Sequence, residues 1–202
     1  MKPKETLPNI STGVILAGGR SSRMGRPKAL LTVNGKRMID IILEVFHSLF
    51  NEIFIVTDDK NNFVEFKDVK IVEDSISGYG PLGGIYTGLK SISNDKAFFV
   101  ACDMPFLHIG LIKRLLNISK ENGCDCVVPY TSRSIEPLHA VYSSKILGKI
   151  EHLLKEKEFS LNQLLKRCNC EYIKVKKGEY LSFFNVNTPE DLKELNAYES
   201  KI

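Results

Sequence analysis

The chain has 202 residues, 43% of them hydrophobic, 9% aromatic and 26% charged, with a formal net charge of +4. That composition supports one sizeable core and excludes a disordered polyelectrolyte. The charges are dispersed, without a Lys/Arg stripe interleaved with aromatics, and no apolar run reaches the roughly 18 residues of a membrane span, so neither nucleic acid nor membrane is an expected partner.

The first residues, MKPKETLPNIS, carry no secretory apolar region, which makes the cytoplasm the expected location. Residues 1–11 read as an N-terminal extension and 12–202 as one domain, with no linker-like stretch and no internal repeat. Nearly continuous apolar, β-branched runs follow in order: TGVILA (12–17), EIFIVT (52–57), VKIVE (69–73), KAFFVAC (96–102) and DCVVPY (125–130). Strands covered on both faces look like this. Helical patterns separate them, at 38–50, 82–92 and 109–121. In the first, Ile41, Ile42, Val45, Phe46 and Leu49 share an apolar face. Later come a strand at 138–143, helices near 144–156 and 160–167, a strand at 171–175 and a closing helix from Pro189. Thr188 can cap that helix, with Asp191 as the reciprocal carboxylate. The alternation predicts a three-layer α/β/α fold with a mostly parallel, Rossmann-like sheet.

Ligands of open α/β sheets bind beyond the C-terminal strand ends. Three such ends are richer in Gly, Pro or acid than a connector needs. After the first strand comes LAGGRSSRMGRPK (16–28). Gly18 and Gly19 allow close backbone approach and positive φ, and Arg20, Arg23, Arg26 and Lys28 add charge. This suits a phosphate-binding loop that is neither a Walker A loop nor G-x-G-x-x-G; the plainer reading is a solvated connector. In CDMPF (102–106), Asp103 reads either as a turn former or as a Mg²⁺ ligand completed by substrate phosphates, with Asp74 as a second candidate for that pocket. In GPLGGI (80–85), Gly83 and Gly84 permit a flat ligand to approach, or simply a tight turn and close helix packing. His139 reads as a structural histidine rather than an acid or base, and Glu136 and Pro137 as acceptor-pocket wall. The five cysteines (Cys102, Cys124, Cys126, Cys168, Cys170) are odd in number and spaced C-x-C, which argues against both a disulfide framework and zinc; they read as small buried hydrophobes.

Taken in order, LAGG-x3-RMG-x-PK, EDS...GPLGGI, CDMPF, EPLHAVY (136–142) and FFNVNTPEDL (183–192) resemble the molybdenum cofactor guanylyltransferase family, MobA, across residues 12 to 192. The first motif alone marks the wider nucleotidyltransferase superfamily. The resemblance implies a nucleotide-diphospho-sugar transferase type of fold and transfer of GMP from Mg·GTP to molybdopterin, with release of pyrophosphate. It implies that Leu16, Ala17, Gly18 and Gly19 contact GTP, that Lys28, Arg23 and Gly25 serve its phosphates, that Asp74 contacts the nucleoside, and that Gly84 lies near the base. Asp103 would hold Mg²⁺, and Asn185 and Asn187 would lie on the pterin or second-metal side. KVKK (174–177) reads as a solvated strand edge, the alternative being a receiver of an anionic pterin or a partner protein. The family position after the second strand is not carried over to TDDK (57–60). Implied partners are GTP and molybdopterin as substrates, with transient contacts to molybdenum-insertion proteins and molybdoenzyme chaperones. A CTP-using cytidylyltransferase acting on a pterin or alcohol phosphate, and a binding module that keeps the pocket without catalysis, stand as alternatives.

Overall fold

The computed structural model describes residues 12–18, 27–33, 35–76, 78–188 and 191. Nine strands and five α-helices are assigned among them. The strands are β1 (Thr12–Leu16), β2 (Thr32–Val33), β3 (Lys36–Arg37), β4 (Glu52–Thr57), β5 (Lys70–Glu73), β6 (Lys96–Ala101), β7 (Cys126–Tyr130), β8 (His139–Ser143) and β9 (Cys170–Lys174). The helices are α1 (Met38–Leu49), α2 (Gly80–Ser91), α3 (Ile109–Glu121), α4 (Leu147–Lys155) and α5 (Leu161–Lys166). The N-terminal extension lies outside the described residues, as does the expected closing helix apart from Asp191.

Seven strands form one sheet in the order β5-β4-β1-β6-β8-β7-β9. All run the same way except β8, which is antiparallel to both neighbours. The short 131–138 connection from β7 to β8 dictates that reversal, because a parallel return needs a crossover of about a dozen residues or more. Alternate strand residues feed two cores. Ile15, Ile55, Phe98, Val100 and Val127 pack with α1 and α3, whereas Val14, Leu16, Val56, Phe99 and Val128 pack with α2, α4 and α5. Burial on both faces is why these strands are apolar throughout.

The α1 face differs from its sequence expectation. Met38, Ile39, Ile42, Leu43, Phe46 and Leu49 are buried, while Ile41 and Val45 are half-buried and line a surface groove with Phe106 and Leu107. The apolar arc is wider than one helix face can bury, and the residues beside Phe46 win the core. The expected α2 start moves from residue 82 to Gly80, with Pro81 in the first turn, where its missing N–H costs nothing. Helix α2 then lies close against the sheet: a Cβ on Gly88 would sit 2.7 Å from Phe99 Cε1 and 3.1 Å from Val14 Cγ1. The small β2–β3 ribbon had no counterpart in the strand pattern, since two residues show no periodicity. Among the described residues no helix is long and apolar enough to cross a membrane.

Candidate active site

Strand order fixes where a ligand can sit. The chain leaves β1 toward β4 and β5 on one side and returns to β6 on the other, so a crevice opens beyond the carboxyl ends of β1 and β6. The Cys102 N–H donates to the Leu16 carbonyl at 3.0 Å and closes its floor. The Ala17 N–H donates to the Val56 carbonyl at 2.8 Å. Leu16 and Ala17 therefore form the floor, with those two backbone groups already bonded inside the sheet.

Two charged side chains converge above that floor. Lys28 opens a single 3₁₀ turn, Lys28–Leu30, anchored by the fully buried Ala29. Its Nζ donates to Asn187 Oδ1 at 2.6 Å and lies 3.6 Å from Asp103 Oδ2. Asp103 follows β6 at the strand tip, and its carbonyl accepts from the Val186 N–H at 2.8 Å. That bond draws the segment carrying Asn185 and Asn187, both exposed, up to the crevice. Asp191 Oδ2 accepts from the N–H groups of Asn187 (2.6 Å) and Thr188 (2.8 Å), and the Asp191 N–H donates to Thr188 Oγ1 (3.3 Å), the reciprocal cap expected from the sequence. These backbone donors, helped by Lys28, hold the Asp191 carboxyl below its ordinary range.

Other assigned residues take different places. Asp74 is not on a strand next to Asp103: β5 lies three strands from β6, about 14 Å at the usual strand spacing. Its Oδ1 accepts from Thr87 Oγ1 at 2.7 Å and from the Ile76 N–H at 3.2 Å, tying the β5 tip to α2. Gly83 sits against that carboxylate, where a Cβ would lie 3.2 Å from Asp74 Oδ2. A Cβ on Gly84 would meet Leu16 Cδ2 at 3.0 Å, so close helix packing accounts for this glycine. Gly18 is not among the positive-φ glycines; it is small because a Cβ would lie 3.2 Å from Asp58 Oδ1. Asp58, in the TDDK stretch set aside in the sequence, thus borders the β1 loop, and its place just past the β4 end was the signal available. Gly19, Arg20, Arg23, Gly25 and Arg26 lie outside the described residues.

Two further groups bear on the chemistry. Burial lowers the His139 pKa to about 3 and pushes the Cys102 thiol up to about 12. His139 stands edge-on between Phe98 and Phe183, at centroid distances of 5.0 and 5.1 Å. It is structural, as expected, but neither ring nitrogen has a hydrogen-bond partner among the described residues. On the same sheet edge, the 131–138 loop and α5 enclose an open groove of about 540 Å³, lined by Ser134, Ile135, Pro137, Asn162, Leu165 and Tyr172, among others.

Known proteins share both the sequence and this fold. The MobA-like NTP transferase domain family matches residues 13–171. A protein of Natranaerobius thermophilus named "Probable molybdenum cofactor guanylyltransferase" is 39% identical, covering 96% of this chain and 98% of its own. One of the same name from Methanothermobacter thermautotrophicus is 35% identical, over 91% and 98%. The crystal structure of molybdopterin-guanine dinucleotide biosynthesis protein A from Archaeoglobus fulgidus superposes with a TM-score of 0.80 at 27% identity, over 95% of this chain and all of that one. A 4-diphosphocytidyl-2C-methyl-D-erythritol synthase from Anaerococcus prevotii shares the fold at TM-score 0.71 and 18% identity, over 94% and 95%. With a switch-point crevice built from the β1 loop and the β6 tip, and a match spanning most of its length, the chain belongs to the MobA-like NTP transferase family.

Proposed function

We propose that this protein transfers GMP from GTP to molybdopterin, or to its molybdenum-bound form, with release of pyrophosphate. The observation that carries the reading is the convergence of Lys28, Asp103 and Asn187 over the β1–β6 crevice, in a chain whose near full-length relatives carry the guanylyltransferase name.

The arrangement suits a reaction between two polyanions. Lys28 is positioned to neutralise phosphate charge, and Arg23 and Gly25 belong to the same loop in sequence. Asp74 and Gly84, at the α2 end of the crevice, are assigned to the nucleoside and base. Asn185 and Asn187 are assigned to the acceptor side. The 540 Å³ groove, with Pro137 in its wall, has the size of a site for a pterin-sized acceptor.

The donor set fits Mg²⁺, which binds through one or two carboxylates and otherwise through substrate phosphates and water. Asp103, 23% exposed and facing Lys28 across 3.6 Å, would hold it. When bound, the ion neutralises charge on the phosphate oxygens.

The acceptor's terminal phosphate oxygen attacks the α-phosphorus, the bond to the bridging oxygen breaks, and pyrophosphate departs opposite. A phosphate monoester has its second pKa near 6, so the attacking oxygen is already ionised near neutrality and no general base is required. His139 could not act as one, being sealed in the core. Catalysis is then positioning plus electrostatic stabilisation.

Nucleotide choice tests the reading. With Mg²⁺ and molybdopterin, GTP should yield pyrophosphate and a guanylated pterin, and GTP alone should raise the melting temperature. Turnover with CTP in preference to GTP would move the protein to the cytidylyl-transferring relatives. Nucleotide binding without turnover, in the presence of intact acceptor, would make it a binding module.

A further inference from the structure

Three of the five cysteines meet at the far side of the sheet, on the face covered by α4 and α5. Cys126 and Cys170 are direct partners in the parallel β7–β9 ladder. Cys168 lies two residues before Cys170, and all three join the same apolar cluster, whereas Cys124 packs on the opposite face. The three side chains share that cluster as neighbours, and each influences the ionisation of the other two. Cys126 is buried, while Cys168 and Cys170 are half-buried. In its neutral form Cys170 donates to the Leu165 carbonyl at 3.3 Å. The Lys149 ammonium, fixed by Asp125 at 2.7 Å, adds positive charge beside Cys168. Among the described residues no group of His, Cys, Asp and Glu has the geometry to hold a metal ion.

We propose that Cys126, Cys168 and Cys170 form a thiol–disulfide exchange site, with Cys170 as the entry thiol and Cys126 as the resolving thiol, so that oxidation bridges β7 to β9. Neighbouring strands lie about 4.8 Å apart, and a disulfide spans Cα separations of about 4.4–6.8 Å, so the two partners are within bridging range. Cys170 is half-buried rather than sealed in the core like Cys126, and the neighbouring Cys126 and Cys168 thiols favour its thiolate; those neighbours, with burial, push the Cys126 thiol up. Cys168, which has no strand partner in this register, is not itself bridged.

The oxidant is a low-molecular-weight disulfide such as oxidised glutathione. The Cys170 thiolate attacks one of its sulfurs, the S–S bond breaks, and one glutathione leaves as thiolate and takes up a proton. Cys126 then releases its proton and attacks Cys170 Sγ, expelling the second glutathione. Two protein thiols are oxidised and one disulfide is reduced to two thiols. This site is independent of the transferase reading.

Peptide mapping after treatment of the whole chain with oxidised glutathione tests it. Trypsin separates residues 121–133, carrying Cys124 and Cys126, from residues 168–174, carrying Cys168 and Cys170. The expected product joins these peptides one to one, lighter by two hydrogens, and forms equally in Cys124→Ser and Cys168→Ser. Cys126→Ser should stop at a stable glutathione adduct on residues 168–174, and Cys170→Ser should form neither adduct nor bridge. A bridge confined to residues 168–174, a glutathione adduct on Cys168 in Cys170→Ser, or a wild-type chain left unmodified while free cysteine in the same tube is oxidised would each overturn the proposal. The wild-type map decides the matter even if a serine variant folds poorly.

Discussion

Replacing Asp103 by Asn keeps the side-chain shape and removes one charge, so it separates a catalytic carboxylate from a structural one. Its ion pair with Lys28 spans 3.6 Å between side chains that are 39% and 23% exposed. At that distance Coulomb attraction is about 1–5 kcal/mol for effective dielectrics of about 80 to 20. Solvent screening reduces such an exposed pair to a net of about 0–1 kcal/mol, and Lys28 keeps its 2.6 Å hydrogen bond to Asn187. Asp103→Asn should therefore cost less than about 1 kcal/mol of stability, or roughly 2–4 °C in Tm for a chain of this length. If Asp103 holds the ion that neutralises the reacting phosphates, turnover should fall by about 10²–10³, equivalent to about 3–4 kcal/mol of transition-state stabilisation. The assay is pyrophosphate release from Mg·GTP with molybdopterin, run beside a thermal melt. Turnover within about threefold of wild type would refute the metal-ligand role. A loss of turnover that merely follows a collapse in Tm would make Asp103 structural.

His139→Phe should preserve the edge-on packing with Phe98 and Phe183 while removing two ring nitrogens that lack partners among the described residues. Stability at neutral pH should rise by about 1 kcal/mol by urea titration; a drop of more than about 2 kcal/mol would mean that the nitrogens are satisfied. The wild type should also carry a pH slope that this variant lacks. Burial depresses the His139 pKa from 6.5 to about 3, so between those values the unfolded chain binds the extra proton. Its contribution is fully present above pH 6.5 and is lost toward pH 3, at up to about 1.4 kcal/mol per pH unit. A pair of glycines tests helix packing. Gly88→Ala places a methyl 2.7 Å from Phe99 and should destabilise by about 1–3 kcal/mol, whereas Gly148→Ala on α4 meets nothing within 4 Å and should stabilise by about 0.5 kcal/mol. Equal shifts in urea midpoint would contradict the close approach of α2 to the sheet.

Local patterns carried far in this chain. The apolar runs that became β1, β4 and β6 are legible because a strand covered on both faces must be apolar throughout, and the chain spells this out residue by residue. The crevice was legible for a related reason: once strands alternate with helices, the residues after each strand face the ligand edge, which brought Lys28 and Asp103 forward. The five ordered motifs added the family, which no composition or periodicity could supply.

What the sequence could not contain is which distant segments become neighbours. Strand order puts Asp74 three strands from Asp103 rather than on a neighbouring strand, and its carboxylate bonds Thr87. Lys28 and Asn187, 159 positions apart, meet because the Asp103 carbonyl captures the Val186 N–H. Asp58 borders Gly18 because β4 lies beside β1, and Cys126 reaches Cys170 through the β7–β9 register. Periodicity, capping and turn chemistry act over three or four residues and are written in the chain. Adjacency across a sheet is set by the cooperative packing of whole elements, so the site's pairings exist only in the folded molecule.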